Sequence, residues 1–441
     1  MTLRVQSLVA AWSPAWHFGP QNMGQDCGEL LIEMKIAVLC EYFYPDNSGS
    51  TPSDMTELAC CLKQFHSGIE IDVITSRHFY RPSEVSAKPL PEEVWNGLNI
   101  HRLRTPKSNR PSMFFRLLTG GVFSMTAFLW MLWKPTYDVV LIVTNPPANA
   151  LAAWLYWKLR RVPYIYLVHD LYPDIAVALG RLNDDSMVAR VFRLLQKQWL
   201  TSAARVVALG RCMRDHLHRR YDVSLDRIRV VSSWADPGTI SVSVRDNGFR
   251  LANGLQGFVV IYGGNFSHYI NFGQILEAAK LLEHEGVSFV LVGDGVRRSE
   301  LLATVEKEGL KNVRVLPKVP RSAMNEVLAA ADISLISLDR RMMGLGVPSK
   351  LYSIMASGRP VVAMVPPGSE VAMVLEEEQC GVNVAGDGAE ALATEISRLK
   401  LDPSLAERMG QNARSALLRR FTLHHAAEQF YALFNDVLIK T

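Results

Sequence analysis

GLGVPSKLYSIMASGRPVVA, residues 344–363, holds a glycine/proline loop, a short apolar helix and the beginning of a strand in twenty positions. Ser349 and Lys350 stand where the loop turns into helix, Gly358 ends the helix, and Pro360-Val361-Val362-Ala363 reads as a buried strand. A lysine at a helix start opposes the helix dipole, so a bound anion accounts for it better than capping does. Loop, helix and strand in that order form the repeating unit of a parallel sheet with crossover helices.

Working outward, the same unit recurs. Apolar strand patterns at 257–262, 287–292, 312–315, 332–336 and 360–363 alternate with helical patterns at 271–285, 297–308, 321–331, 349–357 and 388–399. An earlier series has strands at 35–40, 70–75, 138–143, 163–168 and 204–209, with helices such as 53–66 and 186–201 between them. Short Val/Ile-rich runs suit strands covered on both faces. The expected fold is α/β: two Rossmann-like domains, 34–238 and 257–415, joined by a polar linker, 239–256, and facing a central cleft. An amphipathic helix follows within 416–441. Residues 1–33 read as an extension, with Met34 as the natural start because a strand opens there.

Bulk properties narrow the function. At 441 residues, 49% hydrophobic and 20% charged, the chain has the balance of a two-domain globular protein. A net charge of +4 spread over 90 ionised groups gives no argument for nucleic acid, although a mildly basic face suits anionic lipid. Six cysteines form no C-x-x-C pair and read as reduced thiols of a cytoplasmic protein. LLTGGVFSMTAFLWMLW, 117–133, is uncharged and sits at the lower limit for spanning a bilayer. It reads first as a buried crossover helix, and second as an interfacial helix with Trp130 and Trp133 at the headgroups.

In open α/β sheets ligands sit beyond the carboxyl ends of the strands, so the residues following each strand are the site candidates. After the first strand come Asp46, Gly49 and Ser50, in a loop entering a helix capped near Ser53. His169 and Asp170 follow the fourth strand, placed to donate to and accept from sugar hydroxyls. Helix capping is the plainer reading of Asp170. Gly263-Gly264-Asn265 and Gly293-Asp294 make phosphate-type turns, but not the G-x-G-x-x-G of a dinucleotide site. Arg297 or Arg298 offers a guanidinium clamp for a diphosphate, one of the two being solvated. Ser349 and Lys350 complete an anion cradle. Glu370 is open to two readings, a ribose or sugar acceptor and an ordinary helix-start carboxylate.

The succession MKIAVLCEYFYP, VTNPP, HDLYPD, YGGN, GDGVRR, VPSKLYSIMASGRPVVA and PGSEVAMVL resembles glycosyltransferase family 4, in particular its amino-sugar branch in lipopolysaccharide, colanic-acid and capsule assembly. The resemblance covers about residues 34–437. It implies the GT-B fold, transfer with retention, no metal and no cofactor beyond a UDP- or GDP-sugar donor. It also implies a C-terminal helix that returns to the first domain. The chain departs from the family's E-x7-E: Ser353 stands at the second glutamate, and Asn265 and Phe266 replace the usual basic pair after the first strand of the second domain. The expected activity moves a sugar to a polyprenyl-diphosphate-linked saccharide at the inner face of the cytoplasmic membrane, with peripheral membrane contact. Catalytic roles fall to His169, Asp170 and Lys350. A nucleotide-sugar 2-epimerase and a non-catalytic nucleotide-sugar-binding subunit are the alternatives.

Overall fold

The computed structural model describes residues 34–46, 50–79, 89–106, 113–384 and 388–439; the extension 1–33 lies outside them. The first domain runs β1 (Met34–Leu39), α1 (Ser50–Phe65), β2 (Ile69–Ser76), β3 (Glu92–Trp95), β4 (Leu98–Leu103), α2 (Met113–Leu132), β5 (Val139–Val143), α3 (Asn149–Arg160), β6 (Tyr164–Val168), α4 (Asp174–Ala178), α5 (Met187–Ser202), β7 (Arg205–Ala208), α6 (Arg211–Tyr221) and β8 (Ile228–Val230). The second continues α7 (Gly248–Ala252), β9 (Phe258–Asn265), α8 (Phe272–Leu281), β10 (Val287–Asp294), α9 (Arg298–Glu308), β11 (Val313–Leu316), α10 (Met324–Ala329), β12 (Ile333–Ser337), α11 (Lys350–Ala356), β13 (Val361–Met364), α12 (Glu370–Glu378), β14 (Gly381–Asn383) and α13 (Gly388–Leu401). Two long helices close the chain, α14 (Pro403–Arg420) and α15 (Leu423–Ile439).

The strand orders are β3-β4-β2-β1-β5-β6-β7-β8 and β11-β10-β9-β12-β13-β14. Every pairing is parallel except β3 with β4. Both sheets are therefore doubly wound, and the order reverses direction between β1 and β5 and between β9 and β12. Loops after those strands border the crevices where such sheets bind ligands. Covered on both faces, β5 and β6 bury every residue.

Several local expectations change. The β3–β4 hairpin turns on Asn96 and Gly97, both at positive φ, which is the signature of a tight primed turn. Helix α1 starts at Ser50, a turn before the expected cap at Ser53. The stretch read as linker carries α7, whose buried Arg250 bonds Ala330 O, Gly257 O and Asp332; its latter half is thus built into the second domain. Helix α2 is a crossover helix buried on one face only. Phe123, Ala127 and Met131 face inward, and Gly120 allows close approach, since a methyl there would lie 2.6 Å from Pro146 Cβ. Its other face is exposed, so the wholly buried reading does not hold.

The chain crosses from the second sheet to the first at Phe421–Thr422, where Ala235 N donates to Phe421 O and Leu423 N to Ala235 O. Beyond this point α15 packs on α1 and β5. It buries Ala426, Ala427, Phe430, Leu433, Phe434 and Val437. Tyr431 stacks on His66 at 3.7 Å, and Arg205 Nε holds Asp436 at 2.9 Å.

Candidate active site

The glycine turns after β9 and β10 lie side by side, because Gly263 pairs with Val292, Gly264 with Gly293 and Asn265 with Asp294. Closeness fixes the second turn's composition: a methyl on Gly293 would sit 1.9 Å from Gly264 O, and one on Gly295 would sit 2.5 Å from Asn265 Oδ1. Gly293 therefore serves packing before it serves any ligand. Gly263 differs, since a methyl there would meet nothing within 4 Å. The first turn borders open space.

Lys350 reaches this turn from α11. A methyl on Gly264 would lie 2.7 Å from its Nζ, and Gly264 has φ +141°. The ammonium rests 3.9 Å from the centroid of the Tyr262 ring, whose hydroxyl donates to Asn265 O. Among the described residues Lys350 pairs with no carboxylate. Burial without a counter-charge pushes its pKa down to about 7. Lys350 is half-buried, and a cation partly withdrawn from water with no anion beside it is costly to keep; a bound diphosphate would remove that cost. The structure thus places a cation at the β9 turn that Asn265 and Phe266 do not supply. Ser349 stands just before α11 and makes no capping bond.

Two expected donor contacts are corrected. Arg297 is held by Glu300, with Nε to Oε2 at 3.0 Å, and donates to Ile270 O, so a diphosphate would have to displace its own carboxylate partner. Arg298 begins α9 and, among the described residues, carries no such ion pair. Glu370 is buried and accepts from Arg211 N at 2.5 Å and from its guanidinium at 3.1 Å. Its carboxylate joins the two domains at the foot of α12, which leaves little capacity for ribose. No sequence signal connects residues 159 positions apart.

On the facing edge, Thr144 Oγ1 accepts from both His169 N (3.0 Å) and Asp170 N (3.1 Å). This buried hydroxyl, at the end of β5, sets the turn after β6, and the sequence reading missed it. Asp170 caps no helix, since α4 starts at Asp174 behind Pro173. Its carboxylate touches solvent, yet protein encloses it enough to push its pKa up to about 6. His169 Nε2 is enclosed and, among the described residues, has no hydrogen-bond partner. Burial lowers the imidazole to about 4, so it is neutral at pH 7.

The two edges meet. Leu171 N donates to Leu345 O at 3.3 Å, and a methyl on Gly346 would lie 3.7 Å from Asp170 Oδ1. The loop that delivers Lys350 is thereby held against the turn that carries His169 and Asp170. The acceptor-side loop fares less well. Asp46 is fully enclosed, which removes it from any ligand surface; Ser50 is exposed at the start of α1, and Gly49 lies outside the described residues. Asp294 is exposed at the end of β10. Among the described residues, no cluster of three or more His, Cys, Asp or Glu is placed to hold a metal ion.

Residues 53–234 match the family model for a glycosyl transferase 4-like domain, and residues 246–416 match that for glycosyl transferases group 1. The chain is 29% identical over 366 residues to the probable glycosyltransferase WbjE of Pseudomonas aeruginosa, covering 80% of this chain and 88% of that one. It is 24% identical over 393 residues to the putative colanic acid biosynthesis glycosyl transferase WcaI of Escherichia coli K12, covering 84% and 93%. Among solved structures, Anabaena HepE in complex with UDP and glucose superposes with a TM-score of 0.67 at 18% identity, over 91% of this chain and 100% of that one.

Proposed function

Because this chain belongs to the GT-B glycosyltransferases of family 4, we propose that it transfers a sugar from a nucleoside-diphosphate donor to a lipid-linked saccharide during cell-surface polysaccharide assembly. The observation that carries this is the unpaired Lys350 ammonium against Gly264. The names of WbjE and WcaI support the pathway class, and the UDP and glucose held by HepE support a UDP-sugar as the first donor to try. An amino sugar heads the list of glycosyl groups, and the inner face of the cytoplasmic membrane is the proposed place of work.

The diphosphate lies over Gly263 and Gly264, beside Lys350. As the bond from the anomeric carbon to the phosphate oxygen breaks, negative charge grows on the diphosphate, and a fixed ammonium there stabilises the leaving group. The acceptor oxygen attacks from that same face, giving retention, and its proton passes to the departing phosphate. Neutral His169 and the Asp170 carboxylate hold sugar hydroxyls and orient the ring. Lys350 takes the part that a divalent cation plays in other transferases, so no metal or cofactor is required.

Purified chain incubated with UDP- and GDP-sugars and a polyprenyl-diphosphate-linked saccharide should yield the extended saccharide, with anomeric configuration retained by NMR and rate unaffected by EDTA. Epimerised donor without extended acceptor would replace transfer by the epimerase reading; absence of any turnover while donor still binds would leave a binding subunit.

A further inference from the structure

Along β9 successive side chains alternate between the two faces of the sheet, so Tyr262 and Gly264 share a face. The strand runs on past its ladder with β12, which ends at Ser334 opposite Ile261; from Tyr262 to Asn265 it pairs with β10. On that stretch Gly264 leaves open the space a side chain would fill, and Lys350 enters it from α11. A methyl on Gly264 would stand 2.7 Å from the lysine Nζ and 3.3 Å from its Cε. The floor of this opening is the Tyr262 ring, its centroid 3.9 Å from the ammonium.

The ring is fixed from every side. Tyr262 is fully buried, meets Phe272 edge-on at 5.4 Å and lies 6.1 Å from Phe266, which is itself edge-on to Phe272 at 5.2 Å. Its hydroxyl donates to Asn265 O at 3.1 Å, while Phe266 N donates to Asp294 O at 2.8 Å, so both sides of the Asn265–Phe266 peptide are tied. An aromatic face attracts a cation through its quadrupole and carries no charge of its own. That distinction matters where an anion is to bind. A carboxylate in the same place would hold the lysine and cancel its charge, as Glu300 does for Arg297. The ring holds the ammonium and leaves its charge whole.

We propose that Tyr262 is a positioning residue of the donor site: its ring face seats the Lys350 ammonium at the Gly263–Gly264 turn, charged and uncommitted, for a diphosphate to meet. Two strand residues on one face, Tyr262 and Gly264, thus supply the floor and the room for a cation delivered by another element. That the anion is a donor diphosphate rests on the function proposed above; the seat itself does not.

The test compares Tyr262→Phe with pentafluorophenylalanine in place of Tyr262, two rings of nearly one shape whose quadrupoles are opposite in sign. UDP binding to the full chain is measured by calorimetry for both, with Lys350 present and in Lys350→Ala. With Lys350 present the fluorinated ring should bind UDP about tenfold more weakly than Tyr262→Phe. In Lys350→Ala the two rings should bind alike, because the effect passes through the ammonium. Equal affinities with Lys350 present overturn the proposal, and so does the same loss in both backgrounds, which would mean that the ring acts only through packing. A second readout needs no ligand. In NMR of isotope-labelled lysine, the Lys350 amine, assigned by its loss in Lys350→Ala, should hold its proton about tenfold less tightly beside the fluorinated ring. Equal titration overturns the seat. A wild-type chain that binds neither UDP nor GDP while the two titrations differ keeps the seat and sinks the donor reading instead.

Discussion

The two edges of the cleft are built by opposite means. On the second domain, the proposed anion site is backbone at Gly263 and Gly264 with a single side-chain charge, Lys350, whose Nζ lies 2.7 Å from where a Gly264 methyl would stand. On the first domain the proposed sugar-holding groups are side chains, His169 and Asp170, and their turn is set by one buried hydroxyl, Thr144. Diphosphate recognition needs positive potential and donors in a tight space, which glycine turns supply almost regardless of neighbours. Sugar recognition needs directed hydroxyl contacts, and those depend on what holds the turn.

The difference can be broken most severely at Lys350. Replacing it with alanine should lower turnover by about two orders of magnitude or more, as expected for loss of one fixed charge-stabilising donor. Lys350→Met should do the same while raising the melting temperature of the empty protein. Near-normal turnover in either variant removes Lys350 from the leaving group. The sign follows from burial: a lysine at about 7 when folded and about 10.4 when unfolded disfavours the folded state wherever the unfolded chain is still protonated, including pH 7.

Thr144→Val tests the other edge with a smaller effect. Two partly buried amides lose their acceptor, at up to about 1–3 kcal/mol each, and kcat should fall about tenfold as the His169 turn shifts. Donor affinity, measured by calorimetry, should not change, because the proposed diphosphate site lies on the second domain; a parallel loss of donor affinity would show that the two edges are not separable. Thr144→Ser should restore rate.

The smallest effect is on pH. A nucleotide sugar bound beside Lys350 raises its pKa from about 7, so binding takes up a proton. Affinity is then fully present below pH 7 and weakens as pH climbs toward the bound value, by at most about tenfold per unit. Lys350→Ala should bind weakly and without this slope between pH 6.5 and 8.5. A flat wild-type profile would mean that the ammonium stays charged in the empty site.

Residue pattern alone carried much of this architecture. The closing amphipathic helix within 416–441 and the ten strands of the two series were legible, because apolar periodicity and glycine stops act over a few residues. The β3–β4 hairpin was legible too, through Asn96-Gly97, but β3 is only four residues long and exposed on one face, and the signal was passed over. The glycine turns and Lys350 of the proposed site stand out in the residue pattern itself. Arg297 could not be discounted, since its pairing with Glu300 depends on side-chain direction at the start of α9. The outward stripe of α5 (Met187, Val188, Val191, Leu194 and Leu195) has the pattern of a buried one, so periodicity gave its phase and not its environment.

What the sequence determined, then, is most of the elements and the glycine turns proposed to hold an anion, since both follow from dihedral preference and local hydrogen bonding. Only the tertiary structure decided which groups remain available. Glu370 is tied to Arg211 across 159 residues, Asp46 is enclosed, and Lys350 is left beside Gly264 without a counter-ion. Charge pairing and burial depend on distance in space, and separation along the chain does not encode it.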